Sequence, residues 1–121
     1  IHLNIGKPLT AEEIAAAASC DKNDRYQKIR HAVDLRVIEG YKLWKNNYVA
    51  YDIANHSFKY SDKYDQADVE KFVSYMEHQL DTVEPEINRE DLRRIFLDIY
   101  ANPVVTKELL EKEKATGAIL L

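Results

Sequence analysis

Two pairs of histidine and aspartate are the residues whose types and spacing most directly suggest chemistry. His31 precedes Asp34 by three positions, and His78 precedes Asp81 by the same step. Because residues three apart share one face of a helix, each pair could offer an imidazole and a carboxylate to a metal ion. Such pairs are also frequent on charged helices, and the Glu-x-x-His pairs of helical di-iron sites are missing. We therefore expect no metal site and interpret these histidines as exposed or structural.

Side chains that could act as nucleophiles are present, but none lies in a recognised catalytic motif. They are Ser19, Cys20, Ser57, Ser61 and Ser74. The glycines Gly6, Gly40 and Gly117 are isolated, so no glycine-rich loop is available to bind phosphate. The single cysteine cannot form an intramolecular disulfide, which fits a reducing compartment. The sequence therefore predicts no complete catalytic site and no cofactor site.

Charge and hydropathy exclude further classes of protein. The formal net charge is −4, the pI is near 5.6, and no block of five or six like charges occurs, so the pattern of a nucleic-acid-binding protein is missing. No apolar run approaches the ~20 residues of a transmembrane helix, and the N-terminus lacks the regions of a signal peptide. We expect a chain that neither binds nucleic acid nor spans a membrane.

The composition favours helices as the elements that must position any functional side chain. The chain has 121 residues, 45% of them hydrophobic, and only three glycines and three prolines. Thr10 and Glu13 form a capping box for a short helix that ends near Ser19. Asp24 is a plausible cap for a longer helix that ends near Gly40. The fold prediction is mainly α, a bundle of about five helices.

The later helices follow from apolar stripes and caps. Asp65 can cap a helix over residues 66–83, which carries the clearest apolar stripe in the sequence. Asn88 can cap another over residues 89–101, and Asn102-Pro103 is expected to stop it and start a final helix. The longer helices are therefore predicted near 24–40, 66–83 and 89–101.

The first five residues, Ile1–Ile5, predict a strand, because apolar and polar side chains alternate. An isolated strand cannot satisfy its backbone hydrogen bonds, so we expect its sheet to lie upstream in the native protein. The predicted organisation is a remnant strand at 1–9, a helical C-terminal domain at 10–115 and a tail at 116–121.

An aromatic segment supplies the one candidate surface. Its residues recur at helical spacing, with a break expected at Asn46-Asn47, and are Tyr41, Trp44, Lys45, Tyr48 and Tyr51. The rings could sit at a lipid headgroup boundary with lysine toward anionic phosphates. Alternatively, they complete the core and place their polar tips at its edge, which is the interpretation we favour for an acidic chain.

Three segments resemble a known family. The sequence IGKPL at Ile5–Leu9, followed by TAEE at Thr10–Glu13, resembles the segment that closes the acyltransferase domain of bacterial glycerol-phosphate acyltransferases. GYKLWKNNYVAYD at Gly40–Asp52 and IYANPV at Ile99–Val104 look like the C-terminal extension of a bacterial subgroup of these proteins. The resemblance spans about Ile1 to Val105.

The resemblance implies a parent enzyme that transfers an acyl chain from acyl-CoA or acyl carrier protein to a glycerol-phosphate or lysophospholipid hydroxyl. Its catalytic motif is a His followed five residues later by an Asp, which orients the His as general base. Neither that pair nor the family's Pro-Glu-Gly motif occurs here, and the nearest Asp downstream of His56 is Asp62. The implied role is therefore non-catalytic.

The implied partners are the upstream catalytic domain, the acyl donor and lysophospholipid of the parent enzyme, and a second copy in a homodimer. The implied location is the cytoplasm, peripheral to the inner face of the cytoplasmic membrane. A different class remains open, namely an independent helical module whose grooves bind a protein partner. The native reading frame distinguishes the accessory region from the independent module, because only an acyltransferase parent predicts an upstream His-x-x-x-x-Asp motif.

Overall fold

The structure is a computed structural model that describes residues 2–116, and these residues are mainly helical. The five α-helices are α1 (Ala11–Ala18), α2 (Lys22–Glu39), α3 (Lys45–Asn55), α4 (Gln66–Asp81) and α5 (Arg89–Thr116). A 3-10 turn at Ser61–Lys63 precedes α4. The predicted mainly helical fold with about five helices is confirmed. The predicted strand begins at Ile1, outside the described residues, and stays a prediction; residues 117–121 of the predicted tail also lie outside them.

The chain divides into two compact units. The first unit consists of residues 1–42 and 107–121, and the second unit consists of residues 43–106. The first unit is therefore built from two separate stretches of chain, whereas the second is one continuous stretch. The predicted domain boundaries at residues 9 and 115 stay predictions.

In the first unit, α1 begins with the predicted capping box. The Thr10 hydroxyl accepts from the backbone N–H of Glu13 at 3.1 Å, and the Thr10 N–H donates to the Glu13 carboxylate at 3.0 Å. The hydrogen bond from the Thr10 N–H is the main reason why the pKa of the Glu13 carboxyl lies below its usual value. Glu13 also forms an ion pair with Arg36 of α2, so the box joins α1 to its neighbour.

Removing the capping hydroxyl is expected to destabilise the first unit. Thr10→Ala leaves the Glu13 N–H without its partner, which typically costs about 1 kcal/mol. Thr10→Ser keeps the hydroxyl and is the matched control. Urea unfolding followed by circular dichroism should show a lower midpoint for the alanine variant than for the serine variant; equal midpoints would contradict the role assigned to the hydroxyl.

The start of α2 differs from the prediction. The cap is Asp21, whose side chain accepts from the Asp24 N–H at 3.0 Å, and the helix begins at Lys22. Asp24 was predicted as the cap but lies inside the first turn. There its negative charge is still stabilised by the positive N-terminal end of the helix dipole. Both aspartates are compatible with a cap, and the earlier one adds almost a full turn to α2.

The second unit contains a core shared by α3, α4 and α5. Its buried members are Val49, Ala50, Phe72, Met76, Leu80, Leu97 and Ala101. The predicted cap Asp65 accepts from the Asp68 N–H at 2.9 Å, and the apolar stripe of α4 lies in the core as predicted. The largest side chain, Phe72, is 1% exposed and contacts Tyr100 edge-on at 5.4 Å between ring centroids.

Ion pairs join α4 to the start of α5. The Glu77 carboxylate accepts from Arg89 at 2.6 Å and from Arg93 at 3.0 Å, and Arg89 also reaches Asp81 at 2.9 Å. The predicted cap Asn88 accepts from the backbone of the first turn at 3.1 Å. These contacts fix the end of α4 next to the beginning of α5.

Two predicted helix breaks are wrong. Asn46 and Asn47 lie in the first turn of α3, because the Asn47 side chain accepts from the Trp44 N–H at 2.8 Å and so caps the helix. Pro103 lies inside α5, which continues to Thr116. Proline cannot donate to the carbonyl of Ile99, but that residue is 64% exposed, so water can supply the missing hydrogen bond.

Candidate functional site

The most unusual polar group in the second unit is the Asp52 carboxylate, which is 3% exposed at the end of α3. Its Oδ1 accepts from the Ser57 hydroxyl at 2.7 Å. Its Oδ2 accepts from the Tyr60 N–H at 3.1 Å and from the Tyr64 hydroxyl at 2.6 Å. A buried carboxylate is tolerated only when it is well hydrogen-bonded, and three donors meet that requirement here.

The chain returns to Asp52 because α3 ends in a sharp turn. His56 adopts the left-handed conformation, with φ 50° and ψ 46°, which glycine usually occupies at a helix C-terminus. The Ser57 N–H then donates to the Asp52 carbonyl at 2.9 Å. Asp52 therefore holds the following loop through both its backbone and its side chain.

The electrostatics of this cluster keep Tyr64 protonated. Burial, and the hydrogen bond and negative charge of Asp52, raise the pKa of Tyr64 to about 12. All three donors are directed at the carboxylate, so Asp52 is not placed to take a proton from a substrate. Ser57 has no imidazole between its hydroxyl and the acid, as nucleophilic triads require. The cluster is a structural anchor for residues 57–64.

Tyr64 should determine part of the pH dependence of stability in alkali. Its pKa is 10.0 ordinarily and about 12 in the folded chain, so the folded state holds the proton more tightly. The stabilisation is complete below pH 10 and is lost as the pH rises to 12. The stability difference between wild type and Tyr64→Phe should therefore shrink across this window.

Urea unfolding at several pH values would measure this difference. The exposed Tyr26 provides the matched control, because Tyr26→Phe removes a hydroxyl that no buried carboxylate accepts. A wild-type advantage over Tyr64→Phe that stays constant across the window would contradict the coupling to Asp52.

An open groove of about 1000 Å³ lies beside the anchored loop. Apolar side chains from three helices line it, namely Val49, Ile53, Val69 and Leu97. Charges of both signs line it as well, including Glu90, Arg94 and Asp98 of α5. Its charged lining comprises four acids, Asp52, Asp65, Glu90 and Asp98, against Arg93 and Arg94, so the groove is net acidic.

Phe58 also lines the groove, although its side chain is 84% exposed. It lies between Ser57 and Tyr60, which both donate to Asp52. The chain on both sides of Phe58 is therefore attached to Asp52.

The structure brings only some of the predicted surface residues together. Tyr48 and Tyr51 both contact the ring of Tyr60, at centroid distances of 4.9 and 5.2 Å. Lys45 forms an ion pair with Asp68 at 3.5 Å, so its charge is partly neutralised within the chain.

The other two aromatic residues of the predicted surface, Trp44 and Tyr41, lie in different surroundings. Trp44 is 52% exposed and precedes the first turn of α3. Tyr41 belongs to the first unit and is 36% exposed, whereas the other four residues belong to the second. Whether any of these residues faces lipid or a partner stays a prediction.

The main polar residues of the cluster were missed by sequence reasoning. Asp52 stands in the segment Val49–Ala54, which is otherwise apolar apart from a tyrosine, and that isolation is a signal of a buried, hydrogen-bonded acid. Tyr60 and Tyr64 carry no such signal, because their role depends on the turn at His56.

Ser19 and Cys20, two of the nucleophile candidates, lie at the end of α1. Among residues 2–116, no group of three His, Cys, Asp or Glu side chains is arranged to hold a metal ion. The Ser19 hydroxyl donates to the Ala16 carbonyl at 2.7 Å, and the Cys20 thiol contacts the same carbonyl at 3.5 Å. Both side chains therefore contact the end of their own helix.

No helix in the described part of the chain is long and apolar enough to cross a membrane. No protein-family model, curated protein or solved structure matches the chain.

Proposed function

We propose that this chain is a non-catalytic helical accessory region of an acyltransferase that acts on glycerol-phosphate or lysophospholipid acceptors. A separate upstream domain supplies the catalytic His and Asp, and the acyl donor is acyl-CoA or acyl carrier protein. The whole protein works at the inner face of the cytoplasmic membrane. In this arrangement the helical region packs against the catalytic domain, helps to shape the acyl or acceptor channel, or supports a homodimer.

The observation that carries the proposal is an exposed apolar surface in the first unit. Leu3 and Ile5 are 80% and 85% exposed, and their alternation is typical of a strand with one buried face. The segment is held in place, because the Asn4 side chain donates to the Gly40 carbonyl. A sheet supplied by the upstream domain would cover these two side chains and complete the backbone hydrogen bonds of a strand.

The first unit exposes further apolar side chains on α2. Tyr26, Val33 and Val37 are 62%, 44% and 53% exposed. Their spacing of seven and four residues places them on one stripe of the helix. Contiguous exposed apolar surface of this kind is typical of an interface, which supports a role beside another domain.

The resemblance itself supports the choice of parent enzyme. Parts of two of its segments, residues 43–52 and 99–104, meet in the second unit, where the Asn47 side chain donates to the Tyr100 carbonyl at 2.8 Å. Val49 and Ala50 of the first segment are completely buried. Val49, Ala50 and Ala101 of the two segments therefore belong to one packed core.

The test is acyl transfer from acyl-CoA to lysophosphatidate by the full native reading frame. It is compared with the same protein stopped just before Ile1 and with a Leu3→Asp/Ile5→Asp variant. Charges at the covered strand should lower transfer about tenfold, the effect of roughly 1.4 kcal/mol lost at the domain contact. Gln27→Asp, an exposed change on α2, is the matched control. Full activity in every variant would refute an accessory role.

A second candidate function is an independent helical module that binds a protein partner. A groove of about 360 Å³ in the first unit favours it, because α1 and α2 line the groove almost entirely with apolar surface. Ile14, Tyr26 and Ile29 contribute to it, with Arg25 and Arg30 among the lining residues. If the native frame encodes no His-x-x-x-x-Asp motif and transfers no acyl chain, this function replaces the first.

A further inference from the structure

We propose that two copies of this chain associate by docking α2 of each copy in the groove of the other copy's second unit. This groove is the open one beside the anchored loop, lined by residues of α3, α4 and α5. The inference rests on the homodimer included in the proposed function and names the two surfaces that form it. It does not involve the exposed side chains Leu3 and Ile5, which carry the accessory proposal.

The groove carries an excess of acidic charge that is open to a partner. Asp52 and Arg93 contribute little to it, because three donors hold Asp52, and Glu77 pairs with Arg93 at 3.0 Å. The other charged residues of the lining are Asp65, Glu90, Asp98 and Arg94. They comprise three acids and one arginine, and all four are exposed. A cationic partner is therefore favoured.

Apolar side chains in the same lining add a second requirement for the partner. Ile53 and Val69 are partly buried there, and Phe58 is 84% exposed. Apolar grooves of this kind commonly bind an amphipathic helix, whose apolar positions recur every three or four residues. The partner should therefore be a helix with apolar and cationic residues on one face.

The exposed side of α2 has this pattern. One stripe of the helix, at intervals of four, four, three and four residues, consists of Lys22, Tyr26, Arg30, Val33 and Val37. All five are exposed, and the three apolar members are 62%, 44% and 53% exposed in that order. The closest acid, Asp34, follows Val33 by one residue and so lies about 100° further around the helix. The stripe itself contains two cations and no acid.

The charge of α2 as a whole is also positive. Its cations are Lys22, Arg25, Lys28, Arg30 and Arg36, and its acids are Asp24, Asp34 and Glu39. Arg36 pairs with Glu13 of α1. Glu39 pairs with Lys114 of α5 at 2.8 Å, so four cations and two acids remain. These charges are available to an acidic partner.

A second copy of the chain is an occupant with the required chemistry. The net charge of the chain is −4, yet α2 is cationic and the groove is acidic, so the two surfaces attract each other across copies. Because each copy carries both surfaces, two identical contacts related by a two-fold axis close a dimer. The expected assembly is therefore a dimer.

Analytical ultracentrifugation of the 121-residue chain measures its association. We expect a monomer–dimer equilibrium whose dissociation constant rises with added salt, because charged surfaces form the contact. The helix variant, Lys22→Glu/Arg30→Glu, reverses the charge of the stripe. The groove variant, Glu90→Lys/Asp98→Lys, reverses the charge of the groove. Each variant should raise the dissociation constant about tenfold.

Mixing the two variants provides the decisive measurement. The helix variant keeps its acidic groove and the groove variant keeps its cationic α2, so both contacts between them join opposite charges. The mixture should therefore form a heterodimer with an affinity near that of the wild type, although each variant alone associates weakly. This recovery also shows that both variants are folded. Variants that associate no better when mixed than alone would overturn the proposal.

Matched variants separate these two surfaces from general effects of charge. Lys28→Glu reverses an exposed cation two residues before Arg30, about 160° away around α2. Glu84→Lys/Glu86→Lys reverses two exposed acids of the second unit that do not line the groove. Neither change should alter the dissociation constant more than about twofold. Equal losses of association in the test and control variants would contradict the contact.

The exposed strand residues distinguish this proposal from the accessory role. Leu3→Asp/Ile5→Asp should leave the association unchanged. A dimer lost only in that variant would place the contact at the strand and overturn the proposal, and so would a wild-type chain that stays monomeric. If the chain is monomeric but the strand variant of the full protein still transfers acyl chains poorly, the accessory role stands without the dimer.

Discussion

Asp52→Ala is expected to lower the free energy of unfolding by about 3 kcal/mol, because it leaves buried donors without an acceptor. Ser57, Tyr60 and Tyr64 all donate to this carboxylate. Since the donors span the loop between α3 and α4, the loop should lose its fixed conformation together with the stability. Urea unfolding at neutral pH measures the first effect, and protease sensitivity within residues 57–64 measures the second.

Asp62→Ala provides the matched control for this prediction. Asp62 lies in the same loop, but its side chain is exposed, so its removal should change stability by no more than about 0.5 kcal/mol. An Asp52→Ala variant as stable as Asp62→Ala would show that the anchor contributes nothing.

Phe72→Ala should have the larger effect, about 4 kcal/mol, because it empties the centre of the second unit's core. The side chain is 1% exposed and contacts the rings of Phe96 and Tyr100 at 6.0 and 5.4 Å. Small domains have only about 5–15 kcal/mol of stability, so Phe72→Leu, with its smaller loss, keeps the measurement within range if the alanine variant unfolds.

Phe58→Ala is the corresponding control, since it removes the same side chain at a position that is 84% exposed. Denaturant midpoints should fall strongly for Phe72→Ala and hardly at all for Phe58→Ala. Similar losses at the two positions would contradict the assignment of Phe72 to the core and of Phe58 to the surface.

The helices could be predicted where one local signal was dominant. The capping box at Thr10 and the cap at Asp65 each have a side chain that accepts from the backbone three residues later, and both were predicted. The start of α2 was not, because Asp21 and Asp24 are equally good caps in isolation. The predicted break at Pro103 was wrong because water can replace the backbone hydrogen bond that proline cannot donate at an exposed position of a long helix.

The candidate site was less predictable than the helices. The aromatic spacing led to Tyr48 and Tyr51, but Tyr60, whose ring contacts both, follows a turn that the sequence does not announce. That turn depends on His56 adopting a left-handed conformation usually filled by glycine. Asp52 was missed because its partners lie up to twelve residues further along the chain.

The division of the chain sets an order for folding during synthesis. We expect residues 43–106 to fold before the first unit is complete, since the second unit is one continuous stretch. The first unit waits for its closing segment, in which Lys114 pairs with Glu39 at 2.8 Å and Leu110 is buried. Until that segment is made, α1 and α2 lack part of their packing. A nascent chain stalled before residue 107 should therefore expose their apolar side chains to chaperones.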